Sequence, residues 1–213
     1  MVEIIPAILT DSSEKFKELV HKLESYTGRI HIDIADGIFV PNKTITGYDE
    51  IKQIESALKF DVHLMVEKPE EHLKEWIRTH ADRFIIHAES KSDLTVLVDE
   101  LHKNGRKVGL AFNPETDSGK FKDLINKIDF VQFMTVHPGF QGGQFVESVL
   151  ERAREFKNEY PNISIAVDGS MHLETAKLAV AAGASIIVVG GHILLENRNV
   201  GEAIEELNKS CTI

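Results

Sequence analysis

Short runs of β-branched and aromatic residues recur along this chain, separated by stretches in which apolar positions follow a helical spacing. The apolar runs at 3–9, 30–34, 60–65, 83–87, 107–112, 129–135, 163–167 and 185–189 predict strands. They are short and continuous, as parallel strands covered on both faces are. Between them, 12–25 places Phe16, Leu19, Val20 and Leu23 on one helical face. The segment 70–79 follows Pro69, a good first-turn residue. The segment 94–103 ends at Asn104-Gly105, a common helix-stop pair. Further helices are predicted at 146–159, stopping before Pro161, at 172–182, ending at Gly183, and at 201–209. Eight strands alternating with helical segments in 213 residues predict an α/β fold, a (β/α)8 TIM barrel near its lower size limit. No linker or shift of composition divides the chain, so 1–213 is expected to be a single domain. An open doubly wound sheet is the competing architecture. It would want a glycine-rich dinucleotide turn after the first strand, and Ile8-Leu9-Thr10-Asp11-Ser12 is not one.

Several predicted strands carry ionisable residues inside otherwise apolar runs. They are His31 and Asp33 in the second strand, Asp61 and His63 in the third, and Asp168 at the end of the seventh. Burying such groups is costly unless they are paired or bind a metal. His31 and Asp33 are two apart, so both face one side while Ile30, Ile32 and Ile34 face the other. A barrel gathers residues at the C-terminal ends of its strands, which brings these segments together. Two histidines and two aspartates make a nitrogen and oxygen donor set suited to zinc, iron, cobalt or manganese. Asp33 and Asp168 are also carboxylates able to move protons, which points to metal-assisted proton abstraction beside a carbonyl. Asp61 reads as structural, hydrogen bonding to the neighbouring strand. His21, His72, His80, His102 and His172 fall on helix-like segments and read as solvated. His87 ends the fourth strand and either faces the pocket or caps the next helix. His137 and His192 lie in loops near the site and stay open.

Glycine-rich turns follow three consecutive strands: Pro138-Gly139-Phe140-Gln141-Gly142-Gly143, Gly169-Ser170 and Gly190-Gly191. Glycine lets the backbone approach a ligand closely, and loops after the last strands of such barrels often hold phosphate. None of the three contains Lys or Arg.

The net charge of -10 speaks against nucleic acid or an anionic membrane as partner, yet leaves room for a small anion held by backbone N–H groups. The one cysteine, Cys211, can form no internal disulfide, which suits a reducing cytoplasm. The start of the chain shows no signal peptide, and no apolar run reaches membrane-spanning length.

These segments resemble the ribulose-phosphate 3-epimerase family nearly end to end. The resemblance is carried by His31-Ile32-Asp33-Ile34-Ala35-Asp36-Gly37-Ile38-Phe39-Val40-Pro41-Asn42, Asp61-Val62-His63-Leu64-Met65, Met134-Thr135-Val136-His137-Pro138-Gly139-Phe140 and Val167-Asp168-Gly169-Ser170. It implies a barrel of the ribulose-phosphate-binding type and an isomerase epimerising carbon 3 of a ketose phosphate, D-ribulose 5-phosphate to D-xylulose 5-phosphate. One divalent metal would sit on His31, Asp33, His63 and Asp168, with Asp33 and Asp168 as acid and base around an enediolate. His63, Met65, Met134, Gly139, Gly142, Gly169, Ser170, Gly190 and Gly191 would meet the substrate. A cytoplasmic homo-oligomer acting on a small sugar phosphate is expected. Ala7 stands where the family usually has Ser, removing one polar contact. Ala35 stands where it usually has Met, which is expected to enlarge or rewet the pocket. Ser170 resembles the branch acting on allulose 6-phosphate. Two other readings compete. A lyase or decarboxylase on a related barrel would carry Asp-x-Lys-x-x-Asp, and Asp33-Ile34-Ala35-Asp36 lacks the lysine. A silent sugar-phosphate-binding protein would have no use for a buried cluster of two Asp and two His.

Overall fold

In the computed structural model, residues 2–139, 142–194 and 198–212 are described. Eight parallel strands form a closed barrel in the order of the chain, which excludes the open sheet. They are β1 (Glu3–Ile8), β2 (Arg29–Ala35), β3 (Lys59–Met65), β4 (Arg83–His87), β5 (Lys107–Phe112), β6 (Phe130–Met134), β7 (Ser164–Asp168) and β8 (Ile186–Val189). Each lies within about two residues of its predicted run. The helices are α1 (Ser13–Leu23), α2 (Tyr48–Gln53), α3 (Leu73–Ile77), α4 (Leu94–Lys103), α5 (Lys122–Ile125), α6 (Ser148–Glu159), α7 (Leu173–Ala181), α8 (Gly191–Leu194) and α9 (Val200–Ser210). Three take their starts from side chains that satisfy exposed N–H groups. Ser12 accepts from Lys15 N–H, Asp93 from Val96 N–H, and Asn199 from Gly201 N–H. The helix predicted at 70–79 begins instead as a 3-10 turn, Pro69–His72, and continues as α3.

Alternation along the strands separates two cores. Outward residues such as Ile30, Ile32, Val62, Phe84 and Val167 pack against the helices. Inward residues Ile5, Ile85, Phe130 and Ile186 fill the barrel interior. Gly109 makes room for one of them, because a Cβ there would stand 2.5 Å from the Phe130 ring. The N-terminal end of the interior is polar. Arg29 is paired with both oxygens of Asp82, at 2.8 and 2.9 Å, and with the carboxylate of Asp61. Arg83 reaches Asp61 and Glu3, each at 3.4 Å. Asp61 is therefore structural, as expected, but it is held by guanidinium groups of β2 and β4 side chains rather than by strand backbone. The interior is thus charged at one end, apolar in the middle, and open at the other.

Candidate active site and metal centre

The strand registers assemble the site at the open end. Asp33 of β2 lies beside His63 of β3, and Met134 of β6 beside Asp168 of β7. His63 Nδ1 stands 2.9 Å from Asp33 Oδ1 and 3.6 Å from Asp168 Oδ2. His31 Nε2 stands 3.2 Å from Asp33 and 3.7 Å from Asp168. One donor atom from each of His31, Asp33, His63 and Asp168 falls within 4.8 Å of all the others. Both imidazoles are buried, with His63 wholly so. His31 Nε2 is enclosed without a hydrogen-bond partner among the described residues. A divalent cation meets the needs of that nitrogen and of two neighbouring carboxylates together, and the mixed donor set fits one.

The two carboxylates are set apart electrically. Burial works to raise both. At Asp33, the neighbouring His31 and His63 outweigh it and hold the carboxyl well below its usual range. At Asp168, burial is reinforced by the charge of Asp33, and the carboxyl is pushed up to about 6. The His31 imidazole is raised, since Asp33, Asp168 and Asp61 together overcome its burial. Gln132, one turn of the pleat below Met134, donates to Asp168 Oδ2 at 3.1 Å. Sequence reasoning missed this glutamine. Its signal was a lone polar residue at the inward position of Phe130-Val131-Gln132-Phe133-Met134.

Above the cluster opens a cavity of about 610 Å3, a size ordinary for a small-molecule site. Asp33 and Asp168 form part of its floor, and Met65 and Met134 part of its wall. Ala7 also lines it, while Ala35 does not. Ala35 packs with Val40 and Met65 beneath Leu9 and Phe39. Its neighbours Met65 and Leu9 do border the cavity.

Gly139, Gly142, Gly169, Ser170, Gly190 and Gly191 all border the cavity. Phe140 and Gln141, within the same turn, lie outside the described residues. Gly169 has φ +117°, and a Cβ there would stand 2.9 Å from the Val136 backbone nitrogen, so only glycine fits. Ser170 follows at φ +50°, and its hydroxyl donates to the Gly143 carbonyl, tying the turn after β7 to that after β6. No Lys or Arg borders the cavity among the described residues. His172, read from sequence as solvated, borders it together with His192, their ring centroids 6.5 Å apart. His137 does not border it and sits 2.7 Å from Glu115 instead.

His87 settles into neither expected position alone. It is fully buried behind His63, with its Nε2 2.9 Å from His63 Nε2 and its Nδ1 3.0 Å from Glu89. Burial lowers its imidazole to about 4.

Comparison with known proteins adds sequence kinship to this geometry. The sequence model of the ribulose-phosphate 3 epimerase family matches residues 3–194. A ribulose-phosphate 3-epimerase of Bacillus subtilis is 33% identical over 201 residues, covering 91% of this chain and 92% of that one. The cytoplasmic isoform of Oryza sativa is 34% identical over 187 residues, covering 85% and 81%. Among solved structures, a 3-hexulose-6-phosphate synthase of Salmonella typhimurium superposes with a TM-score of 0.73 at 14% identity, covering 98% of both chains. That likeness concerns the fold alone.

Proposed function

Because this chain belongs to the ribulose-phosphate 3-epimerase family, a family of carbohydrate isomerases, we propose that it interconverts D-ribulose 5-phosphate and D-xylulose 5-phosphate. The observation that carries the reading is the pair of carboxylates, Asp33 and Asp168, facing one cavity beside two buried imidazoles. Epimerisation beside a ketone removes a proton from one face of a carbon and returns one to the other. That needs two groups in opposite protonation states. Of Asp33 and Asp168, one acts as base and the other supplies the proton to the opposite face. In the reverse direction they exchange roles.

His31, Asp33, His63 and Asp168 would hold one divalent metal, with zinc, iron, cobalt and manganese all suited to the donors. When bound, it supplies a Lewis acid for the negative charge that develops on the substrate oxygen as the proton leaves. Met65 and Met134 keep an apolar wall beside the reacting carbon and exclude water there. Backbone N–H groups of the turns at Gly142, Gly169-Ser170 and Gly190-Gly191 would take the phosphate, as glycine turns can without a cationic side chain. The ribulose-phosphate-specific reading also implies a cytoplasmic homo-oligomer without nucleic-acid or membrane partners. No helix among the described residues is long and apolar enough to cross a membrane.

The test is proton NMR in deuterium oxide with D-ribulose 5-phosphate. Loss of the carbon 3 proton signal, with D-xylulose 5-phosphate appearing, is the expected result. Retention of that signal with metal-loaded protein overturns the assignment. Asp33→Asn and Asp168→Asn should each slow exchange on the order of a hundredfold or more, as loss of a positioned proton-transfer group does, with metal content measured alongside.

A further inference from the structure

His87 and Glu89 lie behind the cluster, and the proposed chemistry gives them no task. His87 closes β4, and Glu89 follows in the loop. The ring planes of His63 and His87 differ by 23°, with centroids 5.0 Å apart and the two Nε2 atoms 2.9 Å apart. The rings therefore meet edge to edge, through a hydrogen bond. On its far side His87 Nδ1 lies 3.0 Å from Glu89 Oε2. The other oxygen of Glu89 accepts the Asn113 N–H at 2.9 Å. Phe39 covers the assembly, its ring 4.8 Å from that of His87.

The proton positions along this chain of contacts follow from the chemistry of its ends. An ionised carboxylate only accepts, so Nδ1 of His87 carries a proton. In the neutral ring, Nε2 is then the acceptor. His63 Nε2 must therefore donate, which leaves a lone pair on His63 Nδ1. That is the atom 2.9 Å from Asp33 Oδ1 and 3.6 Å from Asp168 Oδ2. Two acceptors facing each other at 2.9 Å call for a cation or a proton between them.

We propose that His87 and Glu89 are positioning residues, which lock His63 in the one tautomer that offers Nδ1 to a metal ion. The proposal rests on the reading of the four-residue cluster as a metal site. Carboxylates and carbonyls behind metal-binding histidines act in this way generally. Here the effect passes through a second imidazole, so the deciding carboxylate stands two hydrogen bonds from the cluster.

Glu89→Gln tests it without changing size or any residue of the cluster. The Asn113 N–H retains the amide oxygen, which turns the amide NH2 toward His87 Nδ1. His87 would then accept at Nδ1 and donate from Nε2. His63 would accept at Nε2 and carry its proton on Nδ1, where it opposes a metal. Zinc affinity of the metal-stripped protein, measured by competition with a chelator, should fall about tenfold to a hundredfold. Nitrogen-15 spectra of zinc-loaded wild-type protein should show the proton of His87 on Nδ1 and that of His63 on Nε2. Unchanged zinc affinity in Glu89→Gln, or a proton on His87 Nε2 in the wild type, overturns the relay alone. Failure of wild-type protein to bind zinc, or full zinc binding by His63→Ala, overturns the metal reading on which it rests.

Discussion

Asp168 holds a charge that its surroundings resist, and this has a measurable consequence for stability. Its carboxyl is pushed up to about 6 in the folded chain, mainly by burial and then by Asp33. Between the ordinary carboxylate value and about 6, the folded protein keeps a proton that the unfolded chain has released. In metal-free protein, stability attributable to Asp168 therefore falls as pH rises through that window, and the loss is complete above it. Asp33 has the opposite sign, since its depressed carboxyl stabilises above the ordinary value and fails only in strong acid. Asp168→Asn should accordingly raise the melting temperature of chelator-treated protein at pH 8, by about 2–4 °C per kcal/mol for a chain of this size, and have far less effect at pH 4. An unchanged or lower value at pH 8 would contradict this account. The four clustered residues were legible in the sequence because charge inside a β-branched run is anomalous. Glu89 and Gln132 were not. Glu89 sits in an ordinary polar loop, and what marks it is a contact to His87 and through it to another strand, which no one-dimensional pattern records.

The elements were legible in proportion to their length. All eight strands declared themselves through continuous Ile, Val and Phe, and α4, with Asp93 before it and Gly105 at φ +71° after it, has the termini its sequence announces. The short helices α2, α5 and α8 each offer too few residues for periodicity to register. The segment after Pro69 shows periodicity but coils tightly first: its opening residues Glu70, Glu71 and His72 are exposed, while Pro69, Leu73 and Trp76 are drawn into the core. At this scale the turns at the mouth carry the next expectation. Gly191→Val places a branched side chain at the first residue of α8, where the cavity narrows to backbone. If these turns take the phosphate, activity on D-ribulose 5-phosphate should fall while residual exchange on unphosphorylated ribulose stays level. Equal losses on both sugars would move the phosphate elsewhere.

At the scale of the whole molecule, barrel closure converts a sequence spacing into a site. Asp33 and Asp168 are far apart along the chain, and the circle of eight strands brings them to one cavity. The sequence implied that closure only through the count and alternation of its elements. What it did not display was the interior's other end, where Arg29, Asp61, Asp82, Arg83 and Glu3 interlock beneath the apolar layer of Ile5, Ile85, Phe130 and Ile186. Arg29 and Arg83 open their strands, where charge is unremarkable, and Asp61 stood out in its run while its partners did not. That sealed base has a consequence for traffic. With the barrel stoppered below, the cavity is a cul-de-sac, and whatever has been converted must leave by the door through which the next molecule arrives. The two epimers should therefore compete for one site, each acting as a purely competitive inhibitor of the other's conversion, and an intercept that shifts with product concentration in initial-rate plots would contradict that single shared site.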